Sequence, residues 1–123
     1  FSHLKISNIE ISNAKNDCVD VSGGIYEFEL LNLNFCGDKG LSIGEASTVQ
    51  VDTAHIKFAG VGISSKDLSK TQVYEAAISV VEKCYEAVRK KEEFGGSFIA
   101  FDDLDCVGTT KIDNNSVSVV MHQ

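Results

Sequence analysis

Charged and hydroxyl side chains recur along this sequence at intervals of a little over twenty residues, a pattern that could bind a polar ligand. The members are Asp17, Asp20, Asp38, Lys39, Ser42, Glu45, Ser64, Lys66, Asp67, Glu86, Arg89 and Lys90. If successive repeats stack, these groups meet on one flat surface, where carboxylates with one or two bases could hold a sugar acid or a calcium ion. The ligand-binding residues predicted here are Asp17, Asp20, Asp38, Lys39, Glu45, Lys66, Asp67 and Arg89. The competing interpretation is a solvated face that keeps the protein soluble, which is the usual role of such a surface.

A cluster of aspartates and one histidine are further candidates for a functional role. Asp102, Asp103 and Asp105 could ligate a hard cation, but the glycine and distal glutamate of an EF-hand loop do not follow them in register. A charged outer face is the plainer interpretation. His55 could act as a base, yet no serine or cysteine nucleophile occurs in a recognised motif, so we expect a surface histidine. We assign no catalytic residue, no metal ligand and no cofactor other than the calcium ion considered above.

The four cysteines are Cys18, Cys36, Cys84 and Cys106. They form no CxxC pair and the histidines are scattered, so a tetrahedral zinc site is not indicated. Their even number allows disulfides, but a chain of this length does not need them. Because Cys18 and Cys36 differ in their position within the repeat, we expect separate burial as reduced thiols.

Composition excludes several classes of partner. The chain has 123 residues, 43% hydrophobic and 24% charged, with a net charge of -7. That charge argues against binding to nucleic acid or to anionic membranes, because both require a basic face. No apolar run is long enough to insert into a membrane. The first residues, FSHLKIS, do not resemble a signal peptide and lack an initiator methionine, which predicts a processed or excised chain of unassigned compartment.

An internal repeat is the main structural signal. The template is apolar, x, apolar, x, x, apolar, x, apolar, and its five copies begin at Leu4, Phe28, Val49, Val73 and Ile99. A shorter apolar pair follows in the first four copies, at Val19 and Val21, Leu41 and Ile43, Val61 and Ile63, and Tyr85 and Ala87. Alternation with period two is a strand signature, and strands this short are stable only if each unit stacks on the next. The template therefore predicts an all-β, right-handed parallel β-helix of about five short coils, with the five starting residues as rungs of one ladder.

The residues between the strand runs agree with this fold. Glycines and asparagines, among them Asn13, fall at or between the strand runs, where corners need a positive φ. The sequence contains no proline, which would delete a hydrogen-bond donor within such a sheet.

One segment favours a different structure. Residues 71–91 also fit an amphipathic helix, with Val73, Val80, Cys84 and Val88 on one face and alanine, glutamate and lysine in abundance. The strand repeat passes through this segment and resumes beyond it. We therefore favour a coil of the solenoid and keep one helix in residues 71–91 as the alternative.

The stretches GDKGLSIGEASTVQV, GVGISSKDLSKTQV and AVRKKEEFGG resemble bacterial right-handed parallel β-helix repeat proteins of the pectate-lyase-like superfold. The resemblance covers roughly residues 4–108. It implies the fold and an extracellular or cell-surface location, but this superfold hosts many activities. Lyases of the superfold use a calcium-binding acidic cluster with an arginine or lysine base, and no catalytic residue can be carried over to this chain.

We accordingly expect residues 1–123 to form a single β-helix domain, either complete or cut from a longer chain. The expected function is non-catalytic, a binding or structural module with a polysaccharide as partner. The alternatives are a fragment of a polysaccharide lyase, hydrolase or epimerase, and an oligomerisation module. Oligomers are considered because a solenoid exposes unpaired strand groups at both ends, which another copy could cover.

Overall fold

A computed structural model describes residues 2–123, and the side chains from residue 3 onwards. The strands are β1 (Ser2–Ala14), β2 (Val19–Val21), β3 (Gly24–Cys36), β4 (Lys39–Ile43), β5 (Thr48–Lys66), β6 (Lys70–Val88), β7 (Phe98–Cys106), β8 (Thr109–Ile112) and β9 (Val117–His122). They stack as a parallel β-solenoid of about five turns, which confirms the predicted fold class. The right-handed crossing of the coils remains a prediction.

The described residues contain no helix, so the alternative of a helix within residues 71–91 is wrong. Strand β6 (Lys70–Val88) occupies that segment and pairs with β5 on one side and with β7 and β8 on the other. Val73, Ala76 and Ile78 point inward and are almost fully buried. Helix propensities differ by only about 0.7 kcal/mol per residue among ordinary residues, so burial and hydrogen bonding on both edges outweigh them. Within residues 2–123 there is no helix of the length and apolar character that crossing a membrane requires.

Within each complete coil the chain turns at two corners, which divide it into three straight runs, and each run forms one face of the solenoid. The three faces are clearest in β5. The first face is at residues 49–51, the second at residues 54–56 and the third at residues 63–65. Inward side chains of the three runs form one core, with Val49, Val51, Ala54, Ile56 and Ile63 at most 1% exposed. The core is continuous along the solenoid because each of these residues lies on the equivalent residue of the next coil.

The ladder register differs from the prediction at two coils. The row that begins at Leu4 runs through Tyr26, Val49, Thr71 and Ile99, with steps of 22, 23, 22 and 28 residues. Phe28 and Val73 lie two residues further along the strands, in the row of Ile6 and Val51. The predicted copies left out Tyr26, from which the template fits as well as from Phe28, and Thr71, which is polar. Both are buried, and their hydroxyls are satisfied by Ser22 O and Ser65 Oγ at 2.9 and 3.1 Å.

A displacement of two residues preserves the strand face, so Phe28 and Val73 still point inward, as predicted. The third face shows the same kind of error in one coil. Ile63 lies beside Leu41 and Ser65 beside Ile43, whereas the predicted pair was Val61 and Ile63. Ser65 is fully buried, and its hydroxyl is 2.6 Å from that of Ser69.

The second corner repeats a left-handed backbone in four successive coils. Asn13, Phe35, Phe58 and Val80 have φ of 62°, 54°, 62° and 53°. Asparagine was predicted at such bends, but phenylalanine and valine were not, since a positive φ is strained for them. Phe35 and Val80, predicted inward, are instead about half exposed. The Phe35 and Phe58 rings stack with centroids 4.4 Å apart, and this contact between coils favours the strained corner.

The expectation of reduced thiols is wrong, because the cysteines form two disulfides, Cys18–Cys36 and Cys84–Cys106. Cys18 and Cys36 do occupy different positions in the repeat, as the sequence indicated. Those positions belong to neighbouring runs whose inward side chains meet in the core. Each bond joins two successive coils, one pair near either end of the described solenoid.

Glycines occupy the corresponding interior position in the middle coils. Gly40 and Gly62 precede the aligned residues Leu41 and Ile63, just as Cys84 precedes Tyr85. A Cβ atom on Gly62 would overlap the Cys84 carbonyl oxygen and would lie 2.7 Å from Ile78 Cγ2. Cys106 is the residue equivalent to Ile78 in the next coil, and Cys84 is the residue equivalent to Gly62. The Cys84–Cys106 disulfide therefore stands where Ile78 packs against Gly62 one coil earlier.

We predict that Gly62→Ala lowers the free energy of unfolding by about 1–3 kcal/mol, the usual cost of overpacking a core. The added methyl group would meet a backbone carbonyl, which cannot move without disturbing the ladder. Gly95→Ala is the matched control, because its methyl group would meet only the flexible end of Leu68. Urea unfolding of both variants measures the difference, and equal stabilities would contradict this packing.

Candidate functional site

The third face carries a polar row whose members come from five coils. Its outward residues are Asp20, Ser42, Ser64, Glu86 and Lys111, each paired with the next. Ser42 and Ser64 are at most 2% exposed even though they point outward. Longer side chains cover them, since Lys66 Nζ donates to Ser42 Oγ and Ser64 Oγ donates to Glu86 Oε2, both at 2.7 Å.

Two open depressions lie on this face. The first groove has a volume of about 610 Å³ and is lined by Asp17, Asp20, Ser22, Lys39, Ser42, Gly44, Glu45, Lys66, Asp67, Lys90 and Lys91. The second groove has a volume of about 390 Å³ and is lined by Lys39, Lys66, Glu86, Val88, Arg89, Lys90, Lys111 and Asp113. They share Lys39, Lys66 and Lys90 and therefore form adjoining parts of one surface.

The structure brings most of the predicted residues together. Six of the eight line the first groove: Asp17, Asp20, Lys39, Glu45, Lys66 and Asp67. Arg89 lines the second groove. Asp38 lines neither, and its exposed carboxylate accepts a hydrogen bond from Lys39 Nζ at 2.8 Å. Whether these residues bind a ligand remains a prediction.

A long turn after β6 builds one wall of the surface. Thr71 and Ile99 are 28 residues apart, six more than the preceding step, and the added residues lie within the turn at 89–97. Asp67, only 2% exposed, accepts the backbone N–H groups of Lys90 and Lys91 on Oδ1 at 2.6 and 2.9 Å. The role that the structure gives this predicted ligand-binding carboxylate is to hold the turn.

The same turn reaches across two coils. Lys91 Nζ lies 3.1 Å from Glu45 Oε1, and the two residues are 46 positions apart in sequence. Hydrogen bonding to Glu45 raises the pKa of the Lys91 ammonium. Lys91 and Lys111 were missing from the predicted set. The spacing could not place them, because the turn lengthens the last repeat and β8 joins β6 with a register shift.

Lys66 is the cation at the centre of the surface. Within residues 2–123 it forms no ion pair, and its ammonium donates to Ser42 Oγ. Burial lowers the pKa of Lys66, and the positive charges of Lys39 and Lys90 lower it further, against the carboxylates of Asp20 and Asp17. Lys39 differs, because its hydrogen bond to Asp38 raises its pKa.

A separate depression of about 350 Å³ lies on the second face, lined by residues that include His55, Glu75, Asp103 and Asp105. Asp103 and Asp105 point outward together, as the sequence indicated, and His55 is exposed on the surface. Asp102 lies at the preceding bend, where its Oδ1 accepts a hydrogen bond from Gln72 at 3.0 Å.

Nothing in residues 2–123 groups three or more histidine, cysteine, aspartate or glutamate side chains in a way that could hold a metal ion. Comparisons with models of protein families, with curated proteins and with solved structures found no match for this chain.

We predict that removing one neighbouring positive charge, with Lys90→Gln, raises the pKa of Lys66, because Coulombic repulsion by Lys90 helps to lower it. Removing a neighbouring negative charge, with Asp20→Asn, lowers that pKa further. An NMR pH titration after ¹³C reductive methylation of the lysines reports both shifts. Lys70→Gln on the first face is the control and should leave Lys66 unchanged. Coincident titration of Lys66 in the wild-type protein and the three variants would refute the electrostatic influence of Lys90 and Asp20 on Lys66.

Proposed function

We propose that the protein is a non-catalytic binding module and that its third face binds a polysaccharide. The observation that supports this most strongly is the pair of adjoining grooves, which runs across several coils and combines lysines, carboxylates and hydroxyls. Such a surface offers donors and acceptors at regular intervals, because every coil adds another member to each row at about 4.8 Å. A long polyhydroxylated chain could use several of these positions at once.

The character of the grooves favours an extended polar ligand over a compact apolar one. Sites for small molecules are mostly concave and lined by hydrophobic and aromatic side chains. Both grooves are open, and Val88 is the single large apolar side chain among the described residues that line them. Binding would therefore depend on hydrogen bonds and charge.

Binding is preferred to catalysis because several polar groups of the surface already hold the fold. Asp17 accepts the backbone N–H of Lys39 at 3.1 Å, and Asp67 anchors the turn at residues 89–97. Glu86 accepts the hydroxyl of Ser64. These fixed groups could present a rigid surface to a ligand. A lyase, hydrolase or epimerase fragment is the alternative, and the experiment below distinguishes the two.

We extend the proposal to the protein's relationship to a known superfold and to its location in the cell. The β-solenoid is compatible with the pectate-lyase-like superfold and with the bacterial repeat proteins that the sequence resembles. An extracellular or cell-surface location is supported by the two disulfides, because such bonds persist in oxidising compartments and are rare in the cytosol.

Self-association is a second candidate, favoured by strand β9. Its side chains Val117, Val119 and Met121 are 54%, 40% and 65% exposed, and the strand pairs on one edge with β7. Light scattering after size exclusion would show a concentration-dependent mass if a second copy covers this edge, and a constant monomer mass if none does.

We predict that a screen of neutral and acidic polysaccharides identifies a ligand and that Asp20→Ala weakens its binding roughly fivefold or more, since a charge-assisted hydrogen bond contributes about 1 kcal/mol or more. Asp20 is exposed and lines the first groove. The control is Glu10→Ala, which removes an exposed carboxylate from the second face. Calorimetry measures the affinities, and product analysis tests for cleavage. Absence of any ligand, equal effects of the two variants, or turnover of the polysaccharide would contradict the proposal.

A further inference from the structure

Positive charge is concentrated around the second groove, although the whole chain carries a net charge of -7. Five cationic side chains line the groove, and they are Lys39, Lys66, Arg89, Lys90 and Lys111. Two carboxylates, Glu86 and Asp113, accompany them. The groove is therefore a basic region on an acidic protein, and its charge is opposite in sign to that of the whole chain.

Both carboxylates of the second groove are engaged by donors of the protein itself. Asp113 Oδ2 accepts the backbone N–H of Arg89 at 2.6 Å, and its Oδ1 accepts that of Asn115 at 3.1 Å. Glu86 accepts the hydroxyl of Ser64 at 2.7 Å. These hydrogen bonds fix the two carboxylates and engage both oxygens of Asp113 and Oε2 of Glu86.

Most of the cations keep their donors available. Among the described residues, Lys39 is paired with Asp38, whereas Lys66, Arg89, Lys90 and Lys111 form no ion pair. Arg89 uses its backbone N–H for Asp113, which positions the residue and leaves the guanidinium exposed. Lys111 is also exposed, next to Glu86 in the polar row.

We propose that the second groove is an anion subsite, in which Lys66, Arg89 and Lys111 bind a carboxylate or sulfate group of the ligand. The proposal takes the third face to be the binding surface, as argued above, and adds that the polysaccharide is acidic. A guanidinium can engage two oxygens of such a group at once, and the ammonium groups act as additional point charges.

The subsite can be tested without knowing the polysaccharide, with inorganic sulfate as the probe. Sulfate is titrated into ¹⁵N-labelled protein at constant ionic strength, adjusted with sodium chloride, and the amide resonances are followed by NMR. We expect saturable shifts at Lys66, Arg89 and Lys111. Shifts that are absent, linear with concentration, or equally large at Lys5 and Lys15 would overturn the proposal.

Charge-removing variants identify the residues responsible. The double variant Arg89→Gln with Lys111→Gln should weaken sulfate binding at least about fivefold, because it removes two charged hydrogen-bond donors. Arg89→Lys alone should cause a smaller loss, since it keeps the charge but not the paired donors. The double variant Lys5→Gln with Lys15→Gln removes the same charge elsewhere and should bind normally. Equal losses in the two double variants would show general charge attraction and refute the subsite.

A matched polymer series separates this inference from the function it extends. Dextran, carboxymethyl dextran and dextran sulfate share one backbone and differ in charge. Preference for the two charged polymers, lost in the Arg89 and Lys111 double variant, supports the subsite. The relative affinities of the two charged polymers distinguish carboxylate from sulfate. Neutral glycan binding without sulfate binding would leave the binding module standing and reject the subsite. Sulfate binding without any glycan ligand would support the anion subsite and reject the polysaccharide-binding module.

Discussion

Parallel hydrogen bonding between successive coils holds the backbone in a register of 22 or 23 residues over most of the chain. This register determines the core and the surface together. Val51 lies on Val73 in the interior, while Ser42 lies beside Ser64 on the third face. A one-residue slip would turn every inward side chain of a coil outward, so the pattern of burial specifies the pairing strongly. Residues far apart in sequence thereby become neighbours in the grooves.

The period-two alternation of apolar residues was sufficient to predict the solenoid, because that pattern follows from the geometry of a strand. It was not sufficient to align the coils. The template fits from Tyr26 as well as from Phe28, so it did not decide between two registers that differ by two residues. Thr71 is a buried polar residue whose hydroxyl lies 3.1 Å from Ser65 Oγ, and a template of apolar positions passes over it. Residues 71–91 show the reverse difficulty. Their local helix propensity is real, but pairing on both strand edges is a tertiary effect that no local window contains.

The candidate surface was predictable in outline because charged residues recur with the same period as the core. Its details depend on features that periodicity does not encode. The turn at residues 89–97 brings Lys91 to Glu45, and its anchor is the buried carboxylate of Asp67. The disulfides are a similar case, since Cys18 and Cys36 meet only because inward side chains of adjacent runs converge. What the sequence could not supply is the three-dimensional path of each corner.

The register between coils is tested most directly by NMR distances between backbone protons of residues 48–73. The account predicts strong long-range nuclear Overhauser effects that place Val49 beside Thr71, and Val51 beside Val73, as parallel neighbours. Effects that place Val49 beside Val73 would contradict the alignment on which both grooves depend. Sequential effects typical of a helix in residues 71–91 would contradict the solenoid itself.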